Sequence, residues 1–247
     1  MRSDRTTRRA ALALAAGLLT ASAIPALAQE NSQKIRIGVI GAGNIGGTIG
    51  TLWVKDGHEV MFASRHPETL APMIAELGPK AKAGTPEEAI KFGEAVFVAV
   101  PYKAYPDLSK DLAASLAGKV VLDAGNATQK RDGALYDEVQ ANGIGTTSAK
   151  YFPGAKLVRA FNAANYKVFA KAGADGGKDR PGGRMAIPIA GDDAAAVKVA
   201  EGLVRDAGFD PVVVGPLKDA DKFAMGSPGF GHEATAPELR EKLGLGK

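Results

Sequence analysis

One stretch near the start of the chain constrains its fold more than any other. An apolar run, Ile35–Ile40, leads directly into three glycines spaced as Gly41, Gly43 and Gly46, and an amphipathic segment follows them. A strand, a glycine turn and a helix in this order are typical of a dinucleotide-binding βαβ unit. Gly41 permits the tight turn, Gly43 lets the backbone approach a pyrophosphate, and Gly46 lets the helix pack closely on the strand. We expect the pyrophosphate at the start of the helix near Asn44, where the helix dipole favours negative charge; the alternative is a glycine turn that binds nothing.

The next predicted strand, Glu59–Ala63, ends in Ser64-Arg65. An NAD-selective site usually has Asp or Glu here, because a carboxylate accepts hydrogen bonds from the ribose 2′-hydroxyl. A hydroxyl and a guanidinium instead suit a 2′-phosphate, since charge-assisted bonds contribute about 1.5–3 kcal/mol each. The pair therefore predicts a preference for NADP over NAD of at least about tenfold. The alternative is a solvated arginine at the end of a strand.

Further candidates follow three later strands, at the carboxyl ends where doubly wound sheets bind ligands. They are Val100, Pro101 and Tyr102, then Gly125 and Asn126, then Asn162, Ala163 and Ala164. Each has a structural alternative: Pro101 ends a strand, Tyr102 packs in the core, and Asn126 and Asn162 satisfy loop backbone. No catalytic acid or base is predicted, because hydride transfer between redox cofactors depends on position and electrostatics. The three histidines lack metal-ligand spacing, so no metal site is predicted either.

Strand and helix patterns alternate along the chain and predict a doubly wound, mostly parallel, Rossmann-like α/β sheet in a single domain over residues 29–247. The predicted strands are 34–40, 59–63, 95–100, 119–123, 156–161, 185–190 and 211–214. Pro188 indicates an edge or bulge position in its strand. The glycine-containing segment 173–183 is either a lid or a simple connection.

Residues 1–28 have the pattern of an export signal. A basic start precedes an apolar run from Ala10 to Thr20, and Ala26-Leu-Ala28 matches a small-x-small cleavage site. The Arg8-Arg9 pair resembles a twin-arginine signal, which exports proteins already folded. We therefore expect a cleaved signal and an exported, periplasmic bacterial protein; an uncleaved anchor is the alternative.

Removal of this signal also removes most of the net positive charge. The chain has 31 basic and 27 acidic residues, and residues 1–28 hold four Arg and one Asp, which leaves a net charge of +1. This balance favours neither nucleic acid as a partner nor stable membrane insertion of the mature chain. The chain has no cysteine, which excludes disulfides, thiolate catalysis and Cys-ligated metals.

Taken together, these motifs resemble those of the deazaflavin-dependent NADP reductases, which pass hydride between NADP and coenzyme F420; the NADP-binding domains of membrane ferric reductases are similar. The resemblance covers about residues 34–243 and is carried by Gly41-Ala-Gly-Asn-Ile-Gly46, Phe62-Ala-Ser-Arg65, Val98-Ala-Val-Pro101, Ala160-Phe-Asn162, Ala190-Gly-Asp-Asp193 and Gly215-Pro-Leu217. It implies three groups of contacts: Ala42, Gly43, Asn44 and Ile45 on the pyrophosphate, Ser64 and Arg65 on the 2′-phosphate, and Val100, Asn162 and Ala164 beside the nicotinamide. It also implies that the turn Phe161–Asn165 contacts the deazaflavin.

The sequence thus predicts an NADP-dependent oxidoreductase with a small-molecule redox acceptor, either deazaflavin F420 or a flavin. Alternatives are a ferric or other small-molecule reductase and a non-catalytic exported NADP-binding protein. An imine- or hydroxyacid-class enzyme is disfavoured, because those families append a long helical dimer domain and the chain after Gly183 has a strand–helix–strand pattern. The apolar tail Phe223–Gly231 is a candidate for lining the acceptor pocket or for a subunit contact in a homodimer.

Overall fold

Eight strands form one continuous sheet in the order β3-β2-β1-β4-β5-β6-β7-β8. They are β1 (Arg36–Ile40), β2 (Glu59–Ala63), β3 (Ala81–Gly84), β4 (Ala95–Val98), β5 (Val120–Asp123), β6 (Lys156–Arg159), β7 (Ala186–Gly191) and β8 (Asp210–Gly215). All neighbours pair parallel except β6 and β7, which pair antiparallel. The computed structural model describes residues 33–246, so the predicted export signal lies outside the described residues.

Within residues 33–246, ten α-helices connect and cover these strands. They are α1 (Asn44–Asp56), α2 (Ala71–Leu77), α3 (Pro86–Phe92), α4 (Tyr105–Leu116), α5 (Gln129–Asp132), α6 (Ala134–Asn142), α7 (Ile144–Tyr151), α8 (Tyr166–Ala172), α9 (Ala194–Asp206) and α10 (Ala236–Lys242). Buried residues of α1, α8 and α9 belong to one apolar cluster, and those of α3, α4, α6 and α7 to another. Two separate cores on one sheet are the mark of a doubly wound fold, which confirms the predicted fold class.

The sequence of strand β4 is a continuous apolar run because both faces of the strand are buried. Phe97 belongs to one core, whereas Val96 and Val98 belong to the other. Because both faces are covered, alternation of polar and apolar residues is absent from this strand. Trp53 of α1 packs edge-on against Phe97 and Phe161, with ring centroids 5.3 and 5.9 Å away, and fixes the helix on the sheet.

One strand and four short helices were not expected from the sequence. Strand β3 was not predicted; its sequence, Ala-Lys-Ala-Gly, has no strong strand former, and pairing with β2 imposes the extended backbone. Helices α5 to α8 were not predicted either, since the segments that hold them are short and separated by glycines.

Pro188 does not lie in an edge strand, because β7 is flanked by both β6 and β8. The edge prediction was therefore wrong. The pairing of β6 reaches only Ala190 and Gly191, so the missing N–H of Pro188 breaks no ladder bond to β6. A register shift between Ile189 and Ala190 lies where the bulge alternative expected one.

Within residues 33–246, no helix is both long and apolar enough to span a membrane.

Candidate dinucleotide site

The glycine turn that follows β1 has three differently constrained glycines. Gly41 has a φ of +96°, and a Cβ atom there would lie 2.6 Å from Val100 Cγ1. A Cβ atom at Gly46 would lie 2.0 Å from the Gly41 carbonyl oxygen, whereas one at Gly43 would meet no atom within 4 Å. The backbone conformation and close packing of the turn therefore require Gly41 and Gly46, whereas Gly43 leaves open space above the turn.

The amino end of α1 can bind an anion. Gly43 is its N-cap, no side chain of the described residues caps it, and its first turn carries no acidic residue. Gly43 and Asn44 are exposed, and Ala42 and Ile45 are half-buried. The unpaired backbone N–H groups of a first turn carry partial positive charge, so this end fits a pyrophosphate.

Ser64 and Arg65 lie beside this turn. The backbone N–H groups of Gly41 and Ala42 both donate to the Ala63 carbonyl oxygen at 3.2 Å, which ties the turn to the end of β2. Arg65 is exposed, and it forms no hydrogen bond or ion pair with residues 33–246. A guanidinium with no protein partner, next to an uncapped helix, fits a phosphate on the ribose.

The ends of β4 and β6 lie further along the same edge of the sheet. Val100 is half-buried against the Gly41 turn, Pro101 is exposed, and Ala164 is half-buried. Because all the parallel strands end at this edge, these residues share it with Ser64-Arg65 and the glycine turn.

Tyr102 lies in the protein interior instead. Its side chain is fully buried, its ring stacks on Tyr105 with centroids 4.1 Å apart, and its hydroxyl is 3.1 Å from Ser148 Oγ. Burial raises the pKa of this hydroxyl well above its usual value. Tyr102 therefore packs in the core, as its structural alternative expected, and its contact with a cofactor stays a prediction.

Asn126 and Asn162 are brought together in the structure. Asn126 Nδ2 donates to the Asn162 carbonyl oxygen at 2.7 Å, and Asn162 Nδ2 donates to the Phe223 carbonyl oxygen at 3.1 Å. Asn162 is buried, and its Oδ1 atom has no hydrogen-bond partner among the described residues. The two amides therefore join the loops after β5 and β6 to the apolar tail.

A cavity of about 240 Å³ opens beside Asn126. In the described part of the chain its lining contains amide, hydroxyl and apolar side chains and no charged one: Asn126, Ala127, Thr128, Gln129, Tyr136, Val139, Gln140, Ile144, Ala224 and Met225. Met225 exposes 51% of its surface next to it. The tail thus lines a cavity at the edge of the candidate site.

Sequence reasoning missed a buried polar group beneath these loops. Asp123 at the end of β5 and Arg159 at the end of β6 are fully buried and form an ion pair. Burial alone would lower the pKa of Arg159, but the charge of Asp123 outweighs it and raises that pKa. The sequence does offer one signal for this pair. Asp123 and Arg159 each follow the apolar residues of a predicted strand.

A cluster of possible metal ligands lies elsewhere. Asp56, His58 and Asp206 offer ligand atoms within 4.8 Å of one another. The Lys34 ammonium group contacts both carboxylates, and His58 Nε2 is 2.9 Å from Asp206. The Lys34 ammonium group thus already lies where a metal cation would bind. The predicted absence of a metal site stays a prediction.

These geometries agree with comparisons to known proteins. Residues 36–127 match the family of coenzyme F420-dependent NADP oxidoreductases. The matched segment contains the glycine turn, Ser64-Arg65, Val100 and Asn126, so the resemblance that the motifs indicated is confirmed.

Longer relatives and solved structures extend the similarity. The chain is 29% identical over 194 residues to the metalloreductase STEAP3 of Rattus norvegicus, which covers 78% of this chain and 36% of that protein. The chain therefore spans about a third of the length of this curated relative. A hypothetical protein from Sinorhizobium meliloti has a TM-score of 0.67 at 26% identity, covering 83% of this chain and 96% of that one.

A structure from Arthrobacter sp. FB24, provisionally described as an F420-dependent NADP-reductase, shares the fold. Its TM-score is 0.64 at 24% identity, covering 81% of this chain and 99% of that one.

Proposed function

We propose that this protein is an NADP-dependent oxidoreductase that passes hydride between NADP and a deazaflavin or flavin-like acceptor. One observation carries the proposal: the exposed Arg65, which has no partner among residues 33–246, lies beside the open turn at Gly43 and the end of α1 that no described side chain caps. Together they offer one cationic group and one set of free N–H groups for two phosphate positions. The family match of residues 36–127 supports the same assignment.

Each part of the site has a separate task. The first turn of α1 binds the pyrophosphate, and Ser64 with Arg65 selects the 2′-phosphate. Val100, Asn162 and Ala164 border the reactive end and exclude water on that side. When bound, NADPH supplies a hydride, so two electrons and one hydrogen reach the acceptor. The remaining requirement is orientation, which agrees with a site without a catalytic acid or base.

The cavity beside Asn126 supports an acceptor with a flat, uncharged ring. Its volume of about 240 Å³ is below the roughly 300–1,000 Å³ of whole ligand pockets, so it suits one ring system rather than an entire cofactor. Its uncharged polar and apolar lining suits the hydrogen-bonding edge and the faces of a flavin or deazaflavin. A ferric chelate is a second candidate, because the curated relative is a metalloreductase. Two Fe(III) ions would then take one electron each per NADPH, and one proton would be released.

An acceptor screen tests this function. The purified protein is mixed with NADPH and, separately, with F420, FMN, FAD and a ferric chelate, and NADPH oxidation is followed by absorbance. We expect turnover with the deazaflavin or a flavin, and slower turnover when NADH replaces NADPH at equal concentration. NADPH binding without turnover of any acceptor would instead establish the non-catalytic alternative.

We also propose that the protein is exported through the twin-arginine route, on the strength of Arg8-Arg9 and the Ala26-Leu-Ala28 cleavage pattern. A protein exported in the folded state would carry its bound dinucleotide with it. Amino-terminal sequencing of the protein from a periplasmic fraction should begin at Gln29, and recovery of the uncut chain in the membrane fraction would favour the anchor.

A further inference from the structure

The fully buried ion pair of Asp123 and Arg159 needs an explanation beyond stability. The two residues are register partners on adjacent parallel strands, and Arg159 Nη1 is 2.5 Å from Asp123 Oδ2. Removing two charges from water costs several kcal/mol each, and apolar residues of similar volume often replace such pairs without loss. A buried pair in a Rossmann-like sheet is therefore better explained by what it holds in place.

Both members of the pair hold the same residue, Gly125. Its backbone N–H donates to Asp123 Oδ1 at 2.8 Å, and its carbonyl oxygen accepts from Arg159 Nη2 at 2.5 Å. Tyr105 donates its hydroxyl to the same Asp123 Oδ1 atom. A Cβ atom at Gly125 would lie 1.9 Å from that hydroxyl oxygen, so the loop packs directly onto the network. The ion pair thus fixes both polar backbone groups of one loop residue.

The residue after this clamp is Asn126, which borders the cavity. From Asn126 the hydrogen bonds continue through Asn162 to the Phe223 carbonyl oxygen, directly before the cavity residues Ala224 and Met225. A displacement of Gly125 would therefore move a wall of the cavity and its link to the tail.

The backbone of Phe161, directly before Asn162, is also held in a conformation that bulky residues rarely adopt. Phe161 has a φ of +59°, which a bulky side chain adopts only where packing imposes it. Its ring is buried among Trp53, Phe97 and Phe169. Packing on one face and the Arg159 pair on the other therefore determine where Asn162 lies.

We infer that Asp123 and Arg159 are positioning residues for the acceptor side of the site: they hold Gly125 so that Asn126 forms the wall of the acceptor cavity. This inference rests on the proposed function. The phosphate contacts at Gly43 and Arg65 belong to the loops after β1 and β2, outside the network, whereas Asn162, beside the nicotinamide, belongs to it. Because the charged phosphates supply most of the binding free energy, the pair should govern the orientation of the acceptor and the nicotinamide, and change NADPH affinity little.

Two substitutions of Arg159 test the inference. Arg159→Lys keeps the charge but cannot bond Asp123 and Gly125 together in the same forked geometry, and Arg159→Met removes both bonds. We expect NADPH affinity, measured by calorimetry, to stay within about twofold of wild type. The acceptor kcat/KM should fall about ten- to hundredfold in Arg159→Met and by less in Arg159→Lys, because small misplacements near the reacting groups are costly.

Val212→Ala is the matched control. Val212 is also fully buried, but it lies on β8 in a separate apolar cluster with Ala186 and Leu239, so its truncation lowers stability without touching the Gly125 loop. This variant should keep the acceptor kcat/KM. Equal losses in Val212→Ala and Arg159→Met, or a parallel loss of NADPH affinity in the Arg159 variants, would overturn the inference.

Hydrogen exchange in the dinucleotide-free protein separates the clamp from the function. The Gly125 amide should exchange slowly in wild type and measurably faster in Arg159→Lys, or in Asp123→Asn where Arg159→Lys does not fold. Unchanged protection would overturn the clamp. A wild type that shows this protection but turns over no acceptor would overturn the proposed function, and with it the acceptor role of the pair.

Discussion

Gly41, Gly43 and Gly46 lie in one turn, yet each lacks a side chain for a different physical reason. Gly41 needs a left-handed backbone, Gly46 needs contact between helix and turn, and Gly43 meets nothing within 4 Å. Only Gly43 could carry a side chain without a steric clash or backbone strain within the fold. Its lack of a side chain is what the proposed contact with a pyrophosphate requires.

Substitution of these glycines should separate stability from binding. Gly43→Ala adds a methyl group in open space at a φ of −77°, so the thermal midpoint should stay unchanged or rise slightly. Its affinity for NADP should fall at least about tenfold, because the methyl group fills the space that the pyrophosphate needs. Thermal melts and calorimetric titration measure the two effects.

Gly46→Ala is the control for this substitution. Its new methyl group would overlap the Gly41 carbonyl oxygen at 2.0 Å, and such overpacking costs about 1–3 kcal/mol. A loss of stability in Gly43→Ala as large as that in Gly46→Ala would contradict the open-turn interpretation.

At the residue scale the sequence reveals more of the dinucleotide half of the proposed site than of the acceptor half. The spacing of Gly41 to Gly46 and the Ser64-Arg65 pair encode local geometry, so they can be recognised without a structure. Asp123 and Arg159 are 36 residues apart and meet only because β5 and β6 are neighbours. The burial of Tyr102 could not be read from the sequence, because a strand-end position does not reveal which way a side chain points.

At the scale of elements, Asp132 joins two loops beside the site. Its buried carboxylate accepts from the backbone N–H groups of Lys103 at 3.0 Å and Thr128 at 2.6 Å. Burial alone would raise the pKa of Asp132, but the bonds from Arg131 and Thr128 outweigh burial and lower it. The carboxylate therefore anchors the chain after β4 and the start of α5.

Asp132→Asn should lower stability in a pH-dependent way. A lowered folded pKa means that the carboxylate contributes fully above its unfolded value of 3.8, and that this contribution is lost as the pH falls below it. At neutral pH the variant should lose about 1–3 kcal/mol, because hydrogen bonds to a charged acceptor are lost. Denaturant unfolding between pH 7 and pH 3 should show the difference shrinking toward acid; a constant difference would contradict this account.

The elements that sequence reasoning missed share one cause. Strand β3 is extended because β2 pairs with it, and β7 accommodates Pro188 because β6 pairs with only two of its residues. Both outcomes depend on neighbours that are distant in sequence. By contrast, the capping box at Thr85 and Glu88 and the Asp193 cap of α9 are local features, because each joins residues within one helical turn.

At the scale of the whole molecule, the sheet order supports the proposed position of the dinucleotide. The chain passes from β1 outward to β2 and β3, then returns to β4 on the other side of β1. This reversal opens a crevice at the carboxyl ends of β1 and β4, the position at which open α/β sheets bind ligands. The glycine turn and Val100 border that crevice, with Ser64-Arg65 on one side and Asn126 on the other.

The predicted homodimer stays a prediction, which sedimentation would test.

The central claim, an NADP-selective site, is tested most directly by calorimetric titration of the protein with NADPH and NADH. Wild type should bind NADPH at least about tenfold more tightly, since the 2′-phosphate gains charge-assisted bonds. Arg65→Ala should lose that preference and keep its NADH affinity, whereas Arg36→Ala, another exposed arginine, at the amino-terminal end of β1, should change neither. Equal affinities of the wild type for the two dinucleotides, or an unchanged preference in Arg65→Ala, would contradict the account.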